Sequence, residues 1–170
     1  LGPMPGLEVY RLLLLAVIVT CLFATLRRFT GRFNASILTL LVGANTVILG
    51  YLGNPYPTAT AMAAIFALIA LAVLGNRWVW HFAAGGVLGW LIMTSPFGTL
   101  LGAVAYFSAL LARSKWAACP RSLLAWAGAV TAGAVSTFGA LWLAGRWLFP
   151  GLDWLGTYLY WNSALNQADY

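Results

Sequence analysis

The chain has 170 residues, of which 62% are hydrophobic and 7% charged, and its mean hydropathy is +0.88. A soluble domain carries about 25% charged residues and a disordered chain is polar and highly charged, so both are excluded, while two cysteines are too few for a disulfide scaffold or a Cys-rich metal module. The net charge of +6, from nine Lys plus Arg against three Asp plus Glu, is scattered singly or in threes between apolar runs, which fits topology signals and lipid-headgroup contacts and excludes the clustered basic face that nucleic acid requires.

These numbers predict an all-α, polytopic membrane helix bundle of about six transmembrane helices, each needing roughly 20 mainly apolar residues. The first span runs from about Leu7 to Leu26 and is followed by Arg27, Arg28 and Arg32. The second covers about Ala35 to Tyr51 and ends at the breaker Gly53-Asn54-Pro55-Tyr56-Pro57. The third, Thr58 to Leu74, closes at Gly75-Asn76-Arg77, and the fourth, Trp78 to Met93, stops at Ser95-Pro96-Phe97-Gly98. The fifth, Thr99 to Ala112, is short and leads into Arg113, Lys115 and Arg121; the sixth, Leu123 to Leu148, is long enough to tilt. Residues 1–149 thus form the bundle, and residues 150–170, aromatic and amphipathic, read as an outer-face interfacial segment or the start of a further helix.

Seven of the nine basic residues fall in the loops after spans one, three and five, leaving Arg11 and Arg146 on the other side. The positive-inside rule makes those loops cytoplasmic and both termini extracytoplasmic. The aromatic residues agree, with Trp78, Trp80 and Trp116 at the inner boundary and Tyr51, Tyr56, Trp147 and Trp154 at the outer one. Arg supplies eight of the nine basic residues, which together with the abundant Ala, Gly and Trp points to a GC-rich bacterial genome and an inner-membrane location. The first apolar run is not read as a cleavable signal peptide, because its basic residues follow it, and the chain reads as a portion of something longer.

Small residues recur at helical spacing in spans four and six: Gly85 and Gly89 form a GxxxG, and Gly128, Ala132, Ser136, Ala140 and Ala144 follow at intervals of four. Such faces let backbones approach closely, which makes both helices interior packing elements, with a substrate groove beside them as the alternative. His81, the single histidine, falls at the inner interface between Trp80 and Phe82, where it can reach water; pigment ligation or proton transfer is the competing reading. Glu8 and Arg11 lie three apart on one helix face near the outer surface and read as an ion pair, or as a site where the Arg fork meets phosphate. Tyr51, Asn54 and Tyr56 gather sugar-compatible hydrogen-bonding groups at the same surface, where interfacial anchoring explains them equally well. Asp153 and Asp169 are outward carboxylates without a catalytic signature. Cys21 and Cys119 are not expected to pair, and the sequon Asn34-Ala35-Ser36 falls on the cytoplasmic side.

The order of features is similar to a larger pattern. Leu1-Gly2-Pro3, a spacer and Tyr10-Arg11-Leu12, then the basic loop from Arg27 to Arg32, the Gly50-Tyr51 pair, the run Ala61 to Leu74, and Ala83-Ala84-Gly85-Gly86-Val87-Leu88-Gly89-Trp90 before Thr94-Ser95-Pro96 resemble the GT-C superfamily of membrane glycosyltransferases, in its dolichyl-phosphate-mannose mannosyltransferase and aminoarabinose transferase branch. The likeness spans residues 1–111. It implies an enzyme that takes a sugar from a polyprenyl-phosphate donor at the extracytoplasmic face. Arg11, Tyr51, Asn54 and Tyr56 would then border the cavity for donor phosphate and sugar, with the bilayer and the polyprenyl-phosphate sugar as partners. The family's catalytic carboxylate lies in its first outer loop, upstream of this segment, and no residue here corresponds to it, so the catalytic residues are unknown. No cofactor is evident in this segment; a divalent metal in the full-length enzyme stays open. The alternative is a non-catalytic small subunit of a respiratory or photosynthetic complex, with His81 and the nine tryptophans facing pigment, lipid or partner membrane subunits.

Overall fold

The structure, a computed structural model, describes residues 3–45, 57–75, 77–113, 120–153, 156–157 and 160. It is all-helical among the described residues. The helices are α1 (Pro3–Phe29), α2 (Arg32–Gly43), α3 (Pro57–Leu74), α4 (Trp78–Thr94), α5 (Pro96–Arg113) and α6 (Pro120–Leu148).

Four of the six begin on a proline, namely Pro3, Pro57, Pro96 and Pro120. At the first helical position proline's missing N–H would be unpaired in any case and its fixed φ is already helical, so residues that punctuate the sequence as breakers serve as helix starts. At α5 the Ser95 hydroxyl completes the start by accepting the Gly98 N–H at 3.1 Å. The helix ends are equally local. Arg27 and Arg28 occupy the last turn of α1 and Arg113 that of α5, where cations complement the negative end of the helix dipole. Between α1 and α2 the chain turns through Gly31, which is extended at φ −65°, ψ 160°.

Among the described residues, three helices are long and apolar enough to cross a membrane: Glu8–Phe29, Pro96–Arg113 and Ser122–Leu148. The 18 residues of α5 exceed the short fifth span expected from sequence, because the helix extends back through Thr99 to Pro96. Thr58–Leu74 and Trp78–Thr94 are shorter apolar helices. At 12 residues α2 is about 18 Å long, against a hydrocarbon core of about 30 Å. It stops at Gly43, well before Tyr51: the Asn45 N–H bonds to the Val42 carbonyl in a tighter turn after a residue of poor helix propensity.

Helix α3 is the hub. It packs against α1, α4 and α5, while α2 rests on α1 and the most extensive helix pair is α4 with α6. Alanine makes the hub position workable, since Ala59, Ala61, Ala63, Ala64, Ala70 and Ala72 are all buried and keep neighbouring backbones close. The main core joins Leu68, Leu88, Leu91, Tyr106, Leu110 and Val130 around these alanines, and a second cluster joins Leu14 and Ile18 of α1 to Ala59 and Ala63. Outside it, large apolar side chains such as Leu12, Leu13, Leu40, Leu124 and Leu143 stand exposed. Water would oppose such a surface, and hydrocarbon does not.

Candidate functional site

Contacts between helix ends sort the bundle into two poles. At one pole, Arg27 and Arg28 line a groove with Leu74, the Arg113 guanidinium donates to the carbonyls of Ala72 (3.1 Å) and Gly75, and Arg77 immediately precedes the first residue of α4. At the other pole, the hydroxyls of Tyr10 and Thr60 share a hydrogen bond, Phe97 and Gly98 of α5 meet Thr58 and Ala61 of α3, and Trp90 and Met93 of α4 meet Leu148 and Phe149. Exposed aromatics ring both poles: Phe29, Phe33, Trp78 and Trp80 at the basic one, Tyr10, Phe97, Trp147 and Phe149 at the other. Such rings belong at membrane–water interfaces.

Near the basic pole the helices bury a polar cluster. His81 is 2% exposed and Tyr106 is fully buried. The Nδ1 of His81 and the Tyr106 hydroxyl are 2.5 Å apart, and the imidazole lies against the Trp126 indole at 5.4 Å between ring centres. The water-facing position expected for His81 is therefore corrected. Its helix turns the ring inward between α5 and α6, where the Tyr106 hydroxyl satisfies a nitrogen that burial would otherwise orphan. Sequence reading missed Tyr106 and Trp126; the available signal was a lone phenol inside an apolar run, which requires a partner. It also read Arg113 as a loop charge, whereas the side chain reaches across to close the last turn of α3, whose C-terminal carbonyls lack intrahelical donors.

The close helix contact between α4 and α6 also departs from the expected one. A Cβ on Gly85 would stand 1.9 Å from the Val130 carbonyl oxygen and one on Gly89 would stand 2.5 Å from that of Ala134, so both glycines do sit at a backbone-to-backbone contact. On α6 the matching residue is Gly133, whose added Cβ would lie 2.0 Å from the Phe82 carbonyl oxygen. Gly128 has open space, and Ala132 and Ser136 are exposed. The four-residue stripe of small residues thus faces outward, and α6 is a peripheral helix that packs on one side only. Periodicity located a face of α6 but did not say which of its faces meets α4.

Arg11 sits on α1 near the pole away from the arginine cluster, partly buried, with its Nε withdrawn from solvent. Beside it in sequence Tyr10 ties α1 to α3 through Thr60. Glu8 is exposed. Arg146, the other cation toward this pole, stacks over Trp142 at 5.1 Å. Two apolar clefts open here: one of about 340 Å³ between α4 and α6, lined by Trp90, Met93, Leu141 and Leu148, and one of about 280 Å³ between α3 and α5, lined by Met62, Ile65, Phe97 and Leu101. The Asp153 carboxylate accepts the Gly156 N–H at 3.0 Å, a turn-capping role. Tyr51, Asn54, Tyr56, Cys119 and Asp169 lie outside the described residues. No group of three His, Cys, Asp or Glu side chains capable of holding a metal ion occurs among the described residues. No protein-family model, curated protein or solved structure matches the chain.

Proposed function

We propose that this chain is the central membrane portion of a glycosyltransferase that draws its sugar from a polyprenyl-phosphate donor at the extracytoplasmic face. In this reading the bundle crosses a bacterial inner membrane with about six helices, the arginine-rich pole is cytoplasmic, and both termini are extracytoplasmic. The observation that carries it is the position of Arg11. An arginine drawn into an apolar helix is costly to hold, and this one lies at the pole away from Arg27, Arg28, Arg77 and Arg113, its Nε shielded. A guanidinium fork there matches a lipid phosphate. The apolar clefts at the same pole suit a prenyl chain, and Tyr51, Asn54 and Tyr56 shortly precede, in sequence, the α3 start at Pro57. The catalytic carboxylate then comes from elsewhere in the full-length protein.

The alternative, a subunit of a respiratory or photosynthetic complex carrying a pigment on His81, fits less well. The Nδ1 of that ring faces the Tyr106 hydroxyl and its plane is covered by Trp126. The test is Arg11→Ala in the full-length protein. Losing charged hydrogen bonds worth about 1.5–3 kcal/mol raises the KM for donor by about 10-fold or more, and Arg11→Lys recovers part of it. An unchanged KM rejects the phosphate role.

A further inference from the structure

The groove at the basic pole has no place in the reaction proposed above. Ala24, Arg27 and Arg28 line it from one face of α1, at the three- and four-residue spacing of a helix surface, and Leu74 lines it from α3. Its volume is about 300 Å³, at the lower end of the range for small-ligand sites. Both arginines are exposed. Arg113 is turned away to the α3 carbonyls, so the charge lining the groove is that of Arg27 and Arg28.

Among the described residues, no carboxylate stands at this pole. Of the two described carboxylates, Glu8 is in the opening turns of α1 and Asp153 follows the far end of α6, both toward the opposite pole. Nothing among the described residues supplies the anion. The groove wall is apolar, formed by Ala24 and Leu74, and exposed Phe29 (69%) and Phe33 (77%) flank the arginines at the depth of an interfacial aromatic ring. A free phosphate gains nothing from such a wall, whereas a phosphodiester attached to acyl chains uses both the charge and the apolar surface.

We propose that this groove seats the headgroup of an anionic phospholipid, with the phosphodiester between Arg27 and Arg28 and the glycerol and upper acyl chain against Ala24 and Leu74. The lipid ties α1 to α3 at the end where Arg113 reaches the last turn of α3. The proposal needs the bundle to sit in a bilayer and is independent of the glycosyltransferase reading.

The experiment is native mass spectrometry of the purified full chain released from nanodiscs of phosphatidylcholine doped with phosphatidylglycerol. The wild type retains phosphatidylglycerol in preference to phosphatidylcholine. With about 1 kcal/mol per basic residue near an anionic surface, Arg27→Gln/Arg28→Gln weakens that retention about 30-fold, which is about 2 kcal/mol at 1.4 kcal/mol per tenfold. Arg32→Gln/Arg77→Gln, which removes the same charge outside the groove, produces a smaller loss. Leu74→Trp fills the groove with every charge kept and also expels the lipid, its circular dichroism showing that the helices remain. No preference in the wild type, equal loss in the two double variants, undiminished retention in Leu74→Trp, or displacement of the lipid by millimolar inorganic phosphate overturns the proposal.

Discussion

Replacing Gly133 with alanine probes the contact between α4 and α6 from the α6 side. The new Cβ would stand 2.0 Å from the Phe82 carbonyl oxygen and 3.0 Å from the Gly86 nitrogen. A carbon and a carbonyl oxygen settle at about 3.3–3.6 Å, so the helices must separate by at least about 1 Å. That separation also opens the contacts of Gly85 with Val130 and of Gly89 with Ala134. Both faces are backbone, and no side chain can swing aside to absorb the shift. Overpacking of this kind costs about 1–3 kcal/mol. Gly128→Ala is the matched control: nothing lies within 4 Å of its added Cβ, and replacing a helical glycine gains about 0.5–1 kcal/mol. Unfolding in mixed micelles by added SDS, followed by tryptophan fluorescence, should therefore move the two midpoints in opposite directions. Equal destabilisation by the two substitutions, or a neutral Gly133→Ala, would refute the assignment of the α6 contact face.

Tyr106→Phe leaves the His81 ring nitrogen buried without its hydroxyl partner, and unfolding should show a loss of about 1–3 kcal/mol. The double variant His81→Phe/Tyr106→Phe should lie closer to wild type than the sum of the two single changes, whereas strict additivity would show that the pair is not coupled. Arg113→Gln removes the guanidinium from the Ala72 and Gly75 carbonyls, so amide exchange in the turn after Leu74 should rise and stability should fall by about 1.5–3 kcal/mol. Protection unchanged in that turn would show that the cap is not made.

The helical, membrane-directed character of the chain was legible because it depends on runs of about twenty apolar residues, which composition displays directly. The proline helix starts were not legible as such: Pro57 and Pro96 read as breakers ending loops rather than as first helical residues. Which face of a helix meets its neighbour was not, because every face of α6 is apolar or small and a four-residue period cannot distinguish Gly128 from Gly133. The hub role of α3 was hidden for a similar reason. Its alanines carry little hydrophobicity and matter through their small volume, a property visible only once neighbours are placed. The His81–Tyr106 pair lies 25 residues apart, and the reach of Arg113 to Gly75 spans 38; neither contact follows from local spacing. At the candidate site, Arg11 could be singled out from sequence because it breaks the segregation of charge between the two poles.

Sugar transfer by the full-length protein in sealed vesicles of defined orientation tests the central proposal most directly. A labelled sugar on a polyprenyl-phosphate donor is supplied to one face at a time. The account predicts transfer when the donor sugar is presented at the pole bearing Arg11, and none when it is presented only at the pole of Arg27, Arg28 and Arg113. Transfer confined to the arginine-rich pole, or absence of both donor binding and transfer from either face, would contradict it.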